Sequence, residues 1–156
     1  MSRRRVVAAG LGIAAAAAIG FSVYWFEPHK LVIDSHAAEP PPASAAAVAS
    51  GDFQSLEHET SGRAELVRLP EGRHVLRLAD LKTSNGPKLR VYLSAIEAQS
   101  DGVVYDDGPF VDLGDLKANL GSSNYDVPAG VDVAKYRSAV VWCQRFSVGF
   151  GVAPLR

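Results

Sequence analysis

The sequence predicts an all-β fold: an antiparallel β-sandwich or barrel-like domain preceded by one N-terminal transmembrane helix. Three observations lead there. Apolar residues recur with period two through much of the chain after residue 50, clusters of Gly, Pro, Asn and Asp separate those runs at short intervals, and one uncharged stretch near the N-terminus has the length of a membrane span.

Residues 1–5, with arginines at 3, 4 and 5, read as a cytoplasmic basic segment, and residues 6–26 as a transmembrane signal anchor without a charge. At 1.5 Å per residue the 21-residue stretch is about 31 Å long, matching a hydrocarbon core of about 30 Å. Positive charge before the span and none soon after it orients the C-terminus outward, with Tyr24 and Trp25 at the outer interface. The expected location is therefore the cell membrane, single-pass, with an extracytoplasmic C-terminal domain. A cleaved signal peptide is the rival reading, because Ser35, His36 and Ala37 form a small-residue cleavage site that would release a secreted form. Ala8, Gly12, Ala16 and Gly20 recur every four residues, a spacing that would let two such helices pack as a homodimer.

Residues 27–50 turn rich in Pro, Ala and Ser and read as a tether, with 37–50 expected to lack regular structure. Residues 51–156 are the folded domain, of ample size for a core. They carry fourteen carboxylates against twelve basic side chains and no basic cluster, which excludes a nucleic-acid partner. In "KLRVYLS", Leu89, Val91 and Leu93 share one face while Arg90 and Tyr92 share the other; "RFSVGFG" alternates Phe146, Val148 and Phe150 against Ser147 and Gly149. "GDFQSLEH", "GRAELVRL", "RHVLRLA" and "PFVDLG" are shorter strand runs between turn clusters, "DVAKY" fits a short helical turn, and residues 113–128 read as a structural turn around Asn119, Gly121 and Asn124.

Chemistry narrows to one residue. Cys143 is the single cysteine, and an unpaired thiol outside the cytoplasm must be buried, bonded or reactive. No second cysteine lies at dithiol, covalent-haem or zinc spacing, the serines lack a nucleophile elbow, and no glycine loop cradles phosphate. Three readings of Cys143 stand: a core thiol sharing a face with Ala139 and Val141, a redox thiol or cofactor ligand, or an intermolecular disulfide. His58, before the turn "ETSG", either hydrogen-bonds that turn or ligates a cofactor opposite Cys143; His74 reads as solvated. Trp142 and Tyr125 are packing aromatics, and Trp142, on the face opposite Cys143, could carry an electron.

The blocks "GDFQSLEHETSGRAEL", "GPKLRVYLS", "LGDLKANLGSSNYDVP" and "YRSAVVWCQRFSVGFGVAPL", in that order, resemble the DM-thirteen domain, a family of extracytoplasmic β-rich modules with a proposed role in electron transfer. The resemblance covers essentially residues 51–155, and "VVWCQRFSVGFGVA" is its most specific part. It implies a cysteine after the tryptophan, which Cys143 supplies, and another envelope redox or haem protein as partner, since members occur beside haem-binding domains. Lys88 stands where the resemblance implies an acid after Gly-Pro; Ala118 and Leu120 stand where it implies Gly and Gln. Two functions follow. One is a membrane-tethered redox module centred on Cys143, with haem or a metal as the implied cofactor; the other is a non-catalytic envelope interaction or assembly module in which the cysteine is only core.

Overall fold

The computed structural model describes residues 3–26 and 33–156, and within the N-terminal helix the side chains of residues 10–24. Helix α1 (Arg3–Phe26) exposes Leu11, Ile13 and Ile19. Among the described residues no helix is long and apolar enough to cross a membrane. The side chains of Arg3 to Arg5 and Trp25, and residues 27–32 of the expected tether, lie outside what is described.

Among the described residues ten strands form two five-stranded sheets packed face to face, so the expected sandwich is the fold. The strands are β1 (His36–Ala38), β2 (Ala46–Asp52), β3 (Gln54–Ser55), β4 (Ser61–Arg68), β5 (His74–Lys82), β6 (Leu89–Ser94), β7 (Phe110–Asp115), β8 (Leu120–Asp126), β9 (Ser138–Cys143) and β10 (Val148–Pro154). One sheet runs β1-β8-β5-β4-β2 and the other β3-β10-β9-β6-β7. All pairs are antiparallel except β1 with β8, where His36, Ala37 and Ala38 run parallel to Leu120, Gly121 and Ser122. Leu66, Leu78, Val91, Leu93, Val141 and Phe150 fill the space between the sheets. The period-two reading of β6 holds, with Leu89, Val91 and Leu93 in this core. The run "RFSVGFG" needs correction: Phe146 lies in the β9–β10 turn, 60 % exposed, and β10 begins at Val148 with an irregularity between Gly149 and Gly151.

The segment 37–50 is not unstructured. It supplies β1 at one edge of the first sheet and β2 at the other, so residues 39–45 run between opposite edges of that sheet. Four strand spacings amount to about 19 Å, and seven residues of extended, proline-stiffened chain reach about 22 Å. The proline run thus fits a strap as well as it fits a tether, and hydrogen bonds decide between them. Arg77 Nη1 donates to the Glu39 carbonyl (2.9 Å), Asn124 Nδ2 donates to the Pro40 carbonyl (2.9 Å), and the Glu39 carboxylate accepts from Lys117 Nζ (2.8 Å) and the Asn124 N–H (2.8 Å).

Residues 113–128, read as a turn, are mostly β8, a strand with a partner on each side. "LGSSNYD" has weak β propensity, and the sheet overrides it by burying Ser122, Ser123 and Tyr125. Gly121, at φ +94°, is where β1 fits: a Cβ there would meet the Ala37 carbonyl oxygen at 2.0 Å. Asn119, 2 % exposed, pins the same segment. Its Oδ1 accepts from the Ser35 N–H (2.8 Å), and its Nδ2 donates to Asp34 (2.8 Å) and to the Thr83 carbonyl (3.1 Å).

Gly121→Ala is expected to cost about 1–3 kcal/mol more than Gly114→Ala, whose φ of +116° is as strained but whose Cβ meets nothing. Urea unfolding compares the two, and equal losses would mean β1 does not need the contact. Lys117 holds the Glu39 carboxyl below the usual range, with help from the Asn124 N–H. A depressed carboxylate stabilises above its unfolded value of about 4.3 and loses that contribution as pH falls through the folded value. Glu39→Gln should therefore lower the urea midpoint at pH 7, by a small amount because the pair is partly exposed, and the gap to wild type should close toward pH 3.

Candidate functional site

Strand β9 is buried along its entire length, so it presents one row of side chains to the core and another to a second, smaller cluster outside the sheet. Cys143 belongs to the inner row and its neighbour Trp142 to the outer. This is the alternation the sequence implies, with Ala139, Val141 and Cys143 together.

The Cys143 thiol is fully enclosed, and its S–H donates to the Pro87 carbonyl at 3.3 Å. The turn from Asn85 to Lys88 forms its cover. Gly86 lies against the Phe150 ring, where a Cβ would come within 2.7 Å of Cζ, and Lys88 adopts φ +54°, a left-handed conformation that costs a side-chain-bearing residue energy. The Gln144 N–H donates to the Lys88 carbonyl (3.1 Å), tying the cover to the β9–β10 turn. Beside it opens a shallow cleft of about 360 Å³ bordered by Ser35, Asn85, Lys88, Asp115, Lys117 and Asn119. Asn119 is spent on the N-terminal segment.

His58 is half-buried with its ring stacked on Phe150, centroids 3.7 Å apart, and its carbonyl accepts from the Thr60 hydroxyl (3.1 Å). The Cys143 S–H is engaged by the Pro87 carbonyl, while His58 packs the face of its ring on Phe150. Among the described residues no three His, Cys, Asp or Glu side chains are grouped to hold a metal ion. As arranged, the fully enclosed Cys143 thiol, with its S–H donated to the Pro87 carbonyl, does not fit a haem or metal ligand. His74 is half-buried at the start of β5, and its carbonyl accepts from the Val127 N–H (3.0 Å). Tyr125 is core, as expected, and its hydroxyl accepts from the Lys117 N–H (2.9 Å).

The outer face of β9 carries what the sequence did not reveal. The loop 95–109 closes over it, and Tyr105 is wholly buried, its hydroxyl donating to the Gln99 carbonyl (2.7 Å). Ser94 Oγ donates to the Tyr105 carbonyl (2.9 Å) and Ser138 Oγ to the Ile96 carbonyl (2.7 Å), fixing the loop to β6 and β9. Under it, Trp142 stacks on Tyr92 (5.9 Å between centroids) and Tyr92 on Phe110 (4.7 Å). Burial, then the nearby Asp112 carboxylate, push the Tyr92 phenol above its ordinary value. Alternation placed Tyr92 outward; no sequence signal showed which rings it would meet.

A family model described as Electron transfer DM13 matches residues 52–155. No curated protein and no solved structure matches the chain.

Cys143 in the native protein should resist alkylation by iodoacetamide and react only on unfolding. Cys143→Ala strips the Pro87 carbonyl of its donor and opens a small void, at an expected cost of about 1–3 kcal/mol. Cys143→Ser keeps a donor in place and should lose less, a ranking that denaturant titration checks. Rapid alkylation of the folded protein would show that the cover opens readily.

Proposed function

The chain belongs to the electron transfer DM13 family, and on that premise we propose an electron-transfer module held outside the cytoplasm by α1, with the β9 pair Trp142–Cys143 at its centre. The single observation that carries this is the family match across the sandwich, whose sole thiol and neighbouring indole sit back to back on one buried strand. Three arginines before an uncharged span of about 31 Å support the anchored, outward-facing topology. The N-terminal strap supports an uncleaved chain. Cleavage after Ala37 would cut β1 and remove Asp34 and Ser35, leaving the buried Asn119 amide with unmet hydrogen bonds, each costing about 1–3 kcal/mol. A second envelope redox or haem protein is the partner this role calls for.

One observation favours the second reading, a non-catalytic interaction module. Cys143 is fully enclosed with its proton engaged, as a core thiol would be. For Cys143 to bond to a partner thiol or a ligand, the cover from Asn85 to Lys88 must lift.

The readings part in voltammetry of the full-length protein in lipid nanodiscs with a small one-electron mediator. The electron-transfer module gives a protein-dependent wave, and a Cys143-centred one loses it in a folded Cys143→Ala variant. A wave unchanged by that substitution assigns the cysteine to packing, and no wave in wild type leaves the interaction module. Intact-mass analysis of protein from membranes should find residues before Ala38 present; a mature N-terminus at Ala38 would mean a secreted form.

A further inference from the structure

We propose that Trp142, Tyr92 and Phe110 form an electron outlet, a column of rings through which the buried Trp142 indole gives one electron to a positively charged one-electron oxidant docked on the acidic rim around Phe110. The outlet rests on the electron-transfer reading but not on Cys143.

The three rings belong to three adjacent strands, β9, β6 and β7, and face the same side of their sheet. They step outward in exposure: Trp142 1 %, Tyr92 3 %, Phe110 40 %. Electron tunnelling weakens steeply with distance, so rings in stacked contact offer a faster route than the saturated chain around them. Trp142 is also unusual among buried tryptophans, since among the described residues its indole N–H has no hydrogen-bond acceptor, and the Tyr92 hydroxyl likewise has no partner. Buried polar groups are nearly always paired, and an exception calls for a reason. Without an acceptor the indole keeps its proton as its electron leaves. In the step Trp142 loses one electron, the oxidant gains it, and no bond forms or breaks.

Charge at the outlet selects the oxidant. Residues 95–115 carry Glu97, Asp101, Asp106, Asp107, Asp112 and Asp115 and not one Lys or Arg. Arg90, paired to Asp112 and Asp115 (2.7 Å each), offsets only part of this. Within the same stretch Phe110 and Val103 (55 % exposed) are apolar and open to solvent. An apolar contact point with the Asp106 and Asp112 carboxylates beside the column suits a partner that surrounds its own redox centre with positive charge, and such fields speed encounter in a salt-dependent way. The oxidant must be strong enough to oxidise an aromatic side chain, which places it among high-potential metal complexes.

The test uses the full chain in neutral-lipid nanodiscs with Trp25→Phe, which leaves Trp142 as the single indole. Flash-generated tris(bipyridine)ruthenium(III), a cation, is the oxidant, and the rise of the indole radical is followed by transient absorption. The outlet predicts that the radical forms in the folded protein, that Phe110→Ala and Tyr92→Leu each slow it by about tenfold or more, equivalent to about 1.4 kcal/mol, and that Tyr92→Phe, which keeps the ring, restores it to within a few-fold. Circular dichroism confirms folding, and Phe110→Ala, at a partly exposed edge position, is the variant least able to unfold the protein. Added salt should slow the cationic oxidant, and an anionic oxidant of matched potential should react more slowly. Equal rates in wild type and Phe110→Ala, no radical in the folded wild type, or a preference for the anionic oxidant would each overturn the outlet. The mediator voltammetry judges the electron-transfer reading separately.

Discussion

Burial of β9 on both faces is the constraint from which the rest of the structure follows. A strand in a two-sheet sandwich normally keeps one face dry and leaves the other to water. Here every residue from Ser138 to Cys143 is buried. The outer row of Val140 and Trp142 needs a cover, and the loop 95–109 supplies it, with Tyr105 as its plug and the Ser94 and Ser138 hydroxyls satisfying backbone carbonyls that the cover would otherwise strand. Thiol and indole, adjacent in sequence, are thereby separated into two environments by the thickness of one sheet.

The other sheet meets a comparable demand with a different device. Its central strand β5 buries Arg77, 7 % exposed, whose charge lies beside Glu65 and whose guanidinium donates to the Glu39 carbonyl and to Asn124. A buried cation is tolerated only when its donors are used, and residues 39–45 provide part of that use as they pass between the sheet edges. The folded unit consequently includes residues well before the family match at residue 52. Only residues 27–32 lie between α1 and the first described residue of the sandwich. A chain so short reaches at most about 20 Å. The end of α1 and residue 33 are therefore never farther apart than that.

The site shows how the same residues can be chemically plain on one side of a strand and suggestive on the other. Inside, the Cys143 S–H donates to the Pro87 carbonyl within an apolar shell. Outside, three aromatic rings in contact lead to a carboxylate-rimmed surface. Lys88, standing where the family resemblance implies an acid, lies on the cover over Cys143.

Much of this was legible in the amino-acid order, because period-two alternation is a local property: it assigned the inner faces of β6 and β9, set Cys143 with Ala139 and Val141, and put Trp142 and Tyr92 on the far side. Composition set the uncharged N-terminal stretch apart from the β domain, and the block from "VVWC" onward carried the family. What the sequence could not determine is long-range pairing. The Ser- and Asn-rich β8 reads as a turn until strands on either side bury it, and the proline-rich 39–45 reads as a tether until bonds to Arg77, Lys117 and Asn124 bind its start into a strap. Whether Cys143 would meet a ligand, and which rings would stack on Trp142, depended on residues tens of positions away. Such contacts are decided by tertiary closure, because only when both sheets pack do Pro87 and Tyr92 take up their places on opposite sides of β9.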